Sequence, residues 1–212
     1  MPDKLDYKKE YKDLYMPKNK PSLIEIPAMS FILVNGKGGP QNDEYQNAIS
    51  ILYGLTFTIK MSKMSGNQPP GYFEYVVPPL EGLWWCEDGE FDFEKRDLWR
   101  WTSMIRQPEF VTPEVFEWAA EECKRKKPEL DVSLAKFEEF SEGLCVQMMH
   151  IGPYYDEPKS IKIMKAFMKE NNLTDVTGIE RKHHEIYLSD PRKTAPEKLR
   201  TVLRHPVERE IL

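Results

Sequence analysis

Hydrophobic and polar positions along the chain form strand-like and helix-like patterns that recur in the same order twice. Met29-Ser30-Phe31-Ile32-Leu33-Val34 and Leu144-Cys145-Val146-Gln147-Met148-Met149-His150-Ile151 are short β-rich runs. Each precedes a turn and then apolar residues at helical spacing. These are Ala48, Ile51, Leu52 and Leu55 in the first case, and Ile161, Met164, Phe167 and Met168 in the second. The two turns share the pattern G-P-x-x-D-E, in Gly39-Pro40-Gln41-Asn42-Asp43-Glu44 and Gly152-Pro153-Tyr154-Tyr155-Asp156-Glu157. Asp and Glu at a helix start suit the positive end of the macrodipole, and Pro158 sits where a first turn tolerates proline. Agreement in strand, turn, cap and helix marks a duplicated unit. Two such units sharing one sheet meet at a seam, where a ligand cleft is expected.

The remaining pattern fills in both halves. A strand from about Ile24 to Val34 opens the first unit, with Pro27 at an edge or bulge, and the helix after it runs to about Met61. Tyr72–Val77 and Gly82–Cys86 read as paired strands broken by Pro78-Pro79. In Leu98–Ile105, alternation places Trp99, Trp101, Ser103 and Ile105 on one face. Thr112-Pro113-Glu114 starts a helix through Cys123. Leu134–Phe140 and Leu144–Ile151 read as a hairpin around Glu142-Gly143, and the second helix ends near Asn171-Asn172. His183–Leu188 is the last clear strand, and 195–203 reads as a short helix. Tyr7, Tyr11 and Tyr15 share a helical side and, with Leu5, are expected to pack on the body. The fold class is α+β: one domain over 1–212, with helices on one sheet face and two β-α-β-β-like halves. The first repeat covers about 22–90 and the second about 98–190.

Composition narrows the function classes. The 212 residues suffice for one good core, and 40% hydrophobic with 31% charged residues describes an ordinary globular chain. No apolar stretch is long enough to span a bilayer, and Met1–Glu10 lacks the apolar middle of a signal peptide, so a cytoplasmic location is expected. Cys86, Cys123 and Cys145 have no C-x-x-C spacing, which predicts reduced thiols and no local zinc signature. A net charge of −5 argues against nucleic acid as a partner. The basic run Lys124–Lys127 suits a helix C-terminus, and no helix-turn-helix pattern is present. Nucleophile-elbow, P-loop and dinucleotide fingerprints are absent too, and Gly36-Lys37-Gly38-Gly39 reads as a flexible turn.

Candidate chemistry concentrates in Lys182-His183-His184-Glu185-Ile186-Tyr187-Leu188. On a strand, His184, Ile186 and Leu188 face one way, which suits the helix-covered face; His183, Glu185 and Tyr187 face the other. A carboxylate among β-formers is costly unless solvated, paired or employed. Glu185 is therefore either a solvated residue on an open face or, if buried beside aromatics, an acid or base. Neighbouring His183 and His184 point to opposite faces and do not share an ion, so no metal or other cofactor is expected; His150 reads as structural. Trp84, Trp85, Trp99 and Trp101 crowd one segment with Phe91, Phe93 and Tyr75, as core or as stacking walls for a planar ligand. Tyr154 and Tyr155 overlook the seam, and Glu157 reads as a first-turn acid or a catalytic one.

These residues resemble a known family. Gly152-Pro153-Tyr154-Tyr155-Asp156-Glu157-Pro158, His183-His184-Glu185-Ile186-Tyr187-Leu188-Ser189-Asp190-Pro191 with Thr194-Ala195-Pro196-Glu197-Lys198-Leu199, and the tryptophan-rich middle are similar to stand-alone GyrI-like small-molecule-binding proteins. The resemblance covers nearly the whole chain. It implies a pseudo-symmetric tandem of β-α-β-β units (an SHS2 duplication) in a curved antiparallel sheet, and an aromatic pocket with a buried glutamate on a late strand, matching Glu185. It also implies bacterial multidrug binding and, for some stand-alone members, hydrolysis that opens the cyclopropane of cyclopropanoid DNA-alkylating genotoxins, a detoxification. On that reading Glu185, Glu157, Tyr155 and Tyr187 are the catalytic candidates. Trp99, Trp101, Trp85, Tyr154, His183 and Met148 are the ligand-binding ones. The partner is a hydrophobic aromatic small molecule, without nucleic acid or membrane, and the chain is a monomer or weak homodimer. A non-catalytic binder uses the same residues with Glu185 as counter-ion, and a modulator of another protein, such as a topoisomerase, is the third reading.

Overall fold

The computed structural model of the protein describes residues 4–87 and 95–210; Phe91 and Phe93 lie outside them. In chain order the elements are α1 (Tyr7–Glu10), α2 (Lys12–Tyr15), β1 (Ser22–Ile26), β2 (Met29–Lys37), α3 (Asp43–Lys60), β3 (Leu80–Cys86) and β4 (Trp99–Arg106). Then follow α4 (Pro113–Lys126), β5 (Ala135–Phe140), β6 (Gly143–Ile151), α5 (Glu157–Glu170), β7 (Leu173–Asp175), β8 (His183–Tyr187) and β9 (Arg200–Arg209). The starts of α3 and α4 follow from their caps: the Asn42 side chain accepts from the Tyr45 N–H, and Thr112 from that of Val115.

All strand pairings are antiparallel, in the order β1-β6-β9-β8-β3-β4-β2-β5, with β7 beside β9. The duplication is visible in that order. β2-α3-β3-β4 folds into one half and β6-α5-β8-β9 into the other, and β3 pairs β8 at the junction. The strands preceding the halves are exchanged, since β1 pairs β6 and β5 pairs β2. Only two residues separate β1 from β2, and two separate β5 from β6. A chain that short reaches roughly 10 Å, so the two ends of the sheet are drawn together and the sheet must curl. Ser141 Oγ donating to the Ile26 carbonyl at 3.4 Å ties the ends.

Several expectations change at this level. The single strand over Ile24–Val34 is two strands, broken at Pro27. Leu134–Phe140 and Leu144–Ile151 do not form a hairpin; each pairs with the other half's strand. Tyr72–Val77 contributes only a bridge, Leu5 with Tyr75. The short helix over 195–203 is replaced by one 3-10 turn at Pro196–Lys198 and then β9, because Thr201, Leu203, His205 and Val207 alternate and must fill the sheet between β6 and β8. With β9 in place, β4 belongs to the first half, and the second runs to Arg209 instead of residue 190.

Helix α3 lies on β2 and β4 and buries Ala48, Ile51, Leu52, Leu55 and Ile59. Helix α5 lies on β6 and β7 through Met164 and Met168, which pack with Val146, Met148, Leu173, Leu203 and Val207. At about 1.5–3 kcal/mol per buried apolar side chain, this small cluster is what holds α5 down. Helices α3 and α5 share one face, with α4 packed against α3, and α1 and α2 cover the other. There Tyr7 and Tyr15 are buried, and the Arg106 guanidinium sits 4.6 Å and 4.5 Å over the Tyr7 and Tyr11 rings. The three-tyrosine stripe therefore packs as expected, on two single turns instead of one helix.

Candidate active site

Because α3 and α5 stand over the outer strands of their halves, the central strands β3 and β8 are left between them as the floor of a cleft of about 2160 Å³. Register fixes what points into it. Trp84 pairs with His183, Gly82 with Glu185 and Leu80 with Tyr187. Trp84, His183, Glu185 and Tyr187 thus rise on the helix-bearing side, while His184 and Ile186 face α1 and α2. The assignment of His184 and Ile186 to the face of the long helices is thereby reversed; alternation was right, and the cover on each face was not legible locally.

Glu157 completes the floor from the first turn of α5. It is 3% exposed, and its Oε1 has no hydrogen-bond partner. One donor atom each from Glu157, His183 and Glu185 lie within 4.8 Å of one another. His183 Nε2 is 3.1 Å from Glu185 Oε1. Burial, reinforced by the Glu185 carboxylate, pushes the Glu157 carboxyl well above its ordinary value and favours its neutral form. Behind His183 a chain continues: Nδ1 is 2.9 Å from His205 Nε2, and His205 Nδ1 is 3.0 Å from Asp175 Oδ2.

Aromatic groups wall the carboxyls. Trp84 Nε1 donates to the Tyr187 hydroxyl at 2.8 Å, and that hydroxyl in turn hydrogen-bonds the Glu185 carboxylate. Burial and the Glu185 carboxylate hold the Tyr187 phenol well above its ordinary value; burial first, then Glu185 and Glu157, pushes Tyr154 up to about 12. The Tyr154 and Tyr187 rings meet edge-on at 6.0 Å. Tyr45 of α3 lies 5.5 Å from Trp84. Gly82 makes this floor possible, since a Cβ there would stand 2.8 Å from Trp84 Nε1 and 2.9 Å from the Tyr187 oxygen.

The expected site residues divide accordingly. Glu185, Glu157, Tyr187, His183 and Tyr154 converge, with Trp99 on the wall 5.7 Å from Trp84. Tyr155 is 78% exposed at the rim, so it is poorly placed to donate to a buried oxyanion. Trp101 is fully buried, edge-on to Tyr45 and lying where a Gly36 side chain would be, and does not line the cleft. That close approach is a packing reason for Gly36 beyond turn flexibility. Met148 belongs to the core beneath α5. Trp85 points with Leu83 to the other face, carries Lys182 4.7 Å over its ring, and reaches the cleft at its edge. His205, Asp175, Tyr45 and Gly82 were not singled out from the sequence, and Trp84 was named there only among the crowded tryptophans, as core or stacking wall. His183 and His184 do face apart, as expected. Glu157, His183 and Glu185 are close enough together to hold a metal ion, and Glu157 joins the two β8 residues from the start of α5.

A duplicated β-α-β-β sheet with a carboxyl-floored aromatic cleft between its two helices defines a small-molecule-binding protein. The chain belongs to the GyrI-like family, whose small molecule binding domain matches residues 19–208. It is similar to an uncharacterized conserved protein from Listeria innocua, at 54% identity over 97% of this chain and all of that one, with a TM-score of 0.94. Two structures described as a hydrolase from Listeria innocua, one encoded by lin2189, are 51% and 52% identical over the same shares, with TM-scores of 0.90 and 0.91. Comparison with curated proteins found no match. Among the described residues no helix is long and apolar enough to cross a membrane.

Proposed function

We propose that the protein is a hydrolase that takes planar hydrophobic molecules into the cleft and adds water to reactive ones, opening the cyclopropane of cyclopropanoid DNA-alkylating agents. The observation that carries this reading is the pair of carboxyls at the floor, Glu157 neutral and Glu185 beside His183, under aromatic walls. Glu157, buried and held neutral, can bind the attacking water, which leaves Glu185, 3.1 Å from His183, as the base of the pair. Half-identical structures described as hydrolases support it.

In the proposed reaction Glu185 takes a proton from water as its oxygen bonds to a cyclopropane carbon. The breaking carbon–carbon bond sends its electrons through the conjugated dienone to the carbonyl oxygen, which becomes a phenol by accepting the Tyr187 proton. Neutral Glu157 holds the attacking water by hydrogen bond, and the proton on Glu185 restores Tyr187. Water is the only species consumed. Relief of ring strain supplies driving force, so one acid–base contact worth about 10²–10⁴-fold makes a useful catalyst.

Mass spectrometry of a cyclopropanoid agent incubated with sub-stoichiometric protein tests this reading. Many equivalents of ring-opened, water-added product are expected. Protection limited to one equivalent would make the protein a sequestering binder, with Glu185 as counter-ion. Proton transfer alone suffices for the scheme, so turnover is expected to survive dialysis against a chelator; loss restored by a divalent cation would reassign Glu157, His183 and Glu185 as its ligands. Gly82→Ala is expected to break the Trp84–Tyr187 contact and weaken binding of a planar ligand about tenfold, the value of one hydrogen bond of about 1.4 kcal/mol. Tryptophan quenching titrations read this directly, and unchanged affinity would remove the contact from the site.

A further inference from the structure

The opposite face of the sheet carries a groove of its own. Neighbours in sequence divide between the two faces: Trp84 and His183 rise into the cleft, so Trp85 and Lys182 point the other way. Register extends that second row across the sheet. Lys37 of β2 pairs with Arg100 of β4, and Arg100 with Trp85 of β3. Lys182, just before β8, holds its ammonium 4.7 Å over the Trp85 ring. The row therefore reads cation, cation, indole, cation. The next row inward is Asn35, Thr102 and Leu83, in which Thr102 Oγ1 donates to Asn35 Oδ1 at 2.6 Å. These residues bound a groove of about 630 Å³, a size that suits a small molecule.

Like charges set directly opposite each other destabilise a sheet, so this row calls for an anion. Among the described residues, the carboxylate within ion-pair reach of the three cations is Glu87, 2.8 Å from Arg100 Nε. The Glu87 side chain is 69% exposed, and a pair that open to solvent yields readily to a competing anion. Arg100 Nη1 lies 3.4 Å from the Trp99 carbonyl, which leaves Nη2 to donate into the groove. The other acids stand toward β2 and β5: Glu44 accepts from the Lys37 N–H at 3.1 Å, Glu138 is 3.9 Å from Lys136 Nζ, and Glu139 is beside it. The place for an anion is thus the end where Arg100 and Lys182 flank Trp85.

We propose that this groove is a second ligand site, for a planar aromatic anion. The ring packs against the half-buried Trp85 indole. The anionic group lies between Arg100, whose planar fork suits a carboxylate, and Lys182, with Lys37 adding attraction along the row. The cleft on the other face has the opposite polarity, with Glu157 and Glu185 at its floor, so the two faces sort aromatic ligands by charge. The proposal does not rest on the hydrolase reading.

Titration of the full chain with 2-naphthoate and with its uncharged counterpart 2-naphthamide, followed by nitrogen–proton NMR, tests it. Naphthoate is expected to shift the Trp85 indole signal and the Asn35 and Thr102 amides at concentrations that leave the Trp84 and Trp99 indoles unmoved. Its affinity should fall as salt rises, and naphthamide should bind at least about tenfold more weakly, having lost a charge-assisted contact. Arg100→Gln and Lys182→Gln, both at half-buried surface positions, are each expected to weaken naphthoate about 10–100-fold. Shifts at Trp84 and Trp99 with none at Trp85 would put the anion in the cleft and overturn the proposal. Equal affinity for the amide, or unchanged affinity in both folded variants, would overturn it too. These spectra decide the second site whether or not the protein turns over a cyclopropanoid.

Discussion

Glu185→Gln is expected to lower cyclopropanoid turnover by about 10²–10⁴-fold, the usual worth of a positioned acid or base, while ligand affinity stays within a few-fold. Glutamine preserves the volume of the side chain and its contact with His183 but cannot take a proton. The carboxyl side chain is 14% exposed, so little repacking is needed and the fold should be retained. Single-turnover rates and binding titrations on the same preparation separate chemistry from capture. Unchanged turnover in a folded variant would remove Glu185 as base. Glu157→Gln should cost less, because Glu157 is already neutral and glutamine can still bind the attacking water.

The second large effect concerns stability, on the opposite side of the sheet. His184, fully buried, lies between Glu142 at 2.8 Å and Glu81 at 3.0 Å. Arg204 approaches Glu142 at 3.4 Å, donates to Gln147 at 3.0 Å and caps the Leu14 carbonyl. Tyr15 donates to Glu81 at 3.3 Å. Burial works against the charge on His184, but Glu142 and then Glu81 outweigh it and raise its pKa to about 9. Removing one partner of such a cluster strands the others in the interior, so His184→Leu is expected to cost about 3–5 kcal/mol. For a chain of this size that is a fall in Tm on the order of 10 °C. The sign of the pH effect follows from the raised pKa. The contribution of His184 is complete below the unfolded value near 6.5 and is lost as pH rises through about 9, a loss of about 3 kcal/mol. Glu142, held low against its burial chiefly by His184, contributes above the ordinary carboxylate range and loses that contribution on acidification. Urea unfolding at pH 6 and pH 9.5 reads this difference, which should largely vanish in His184→Leu. A wild type equally stable at both pH values would show that the cluster does not hold a charged imidazole.

The two copies of G-P-x-x-D-E show where local pattern ends. In the first, Glu44 is exposed, and its Oε1 accepts from the Lys37 N–H at 3.1 Å. At the matching position of the second, Glu157 is buried and its Oε1 has no hydrogen-bond partner. The sequence marks both as first-turn acids, and only burial beside Glu185 sets one of them apart. Likewise, Trp99 and Trp101 were correctly placed on one face. Trp99 lines the cleft, whereas Trp101, one pair nearer the β4–β2 edge and opposite Gly36, is sealed beneath α3. His205 stayed hidden because the segment before it reads as helical, whereas the sheet needs a strand between β6 and β8.

Chain periodicity was enough to establish the duplication, the helices α3, α4 and α5 with the caps of the first two, and the separation of His183, Glu185 and Tyr187 from His184 and Ile186. Each of these depends on residues within about one turn or one pleat of each other. Which side of β8 would carry the chemistry and which strands the halves would exchange depended on pairings between residues about a hundred positions apart or more, and which acid of the repeat would be buried depended on how α5 meets β8. Those are set by how two curled half-sheets close on each other, and no local spacing encodes that.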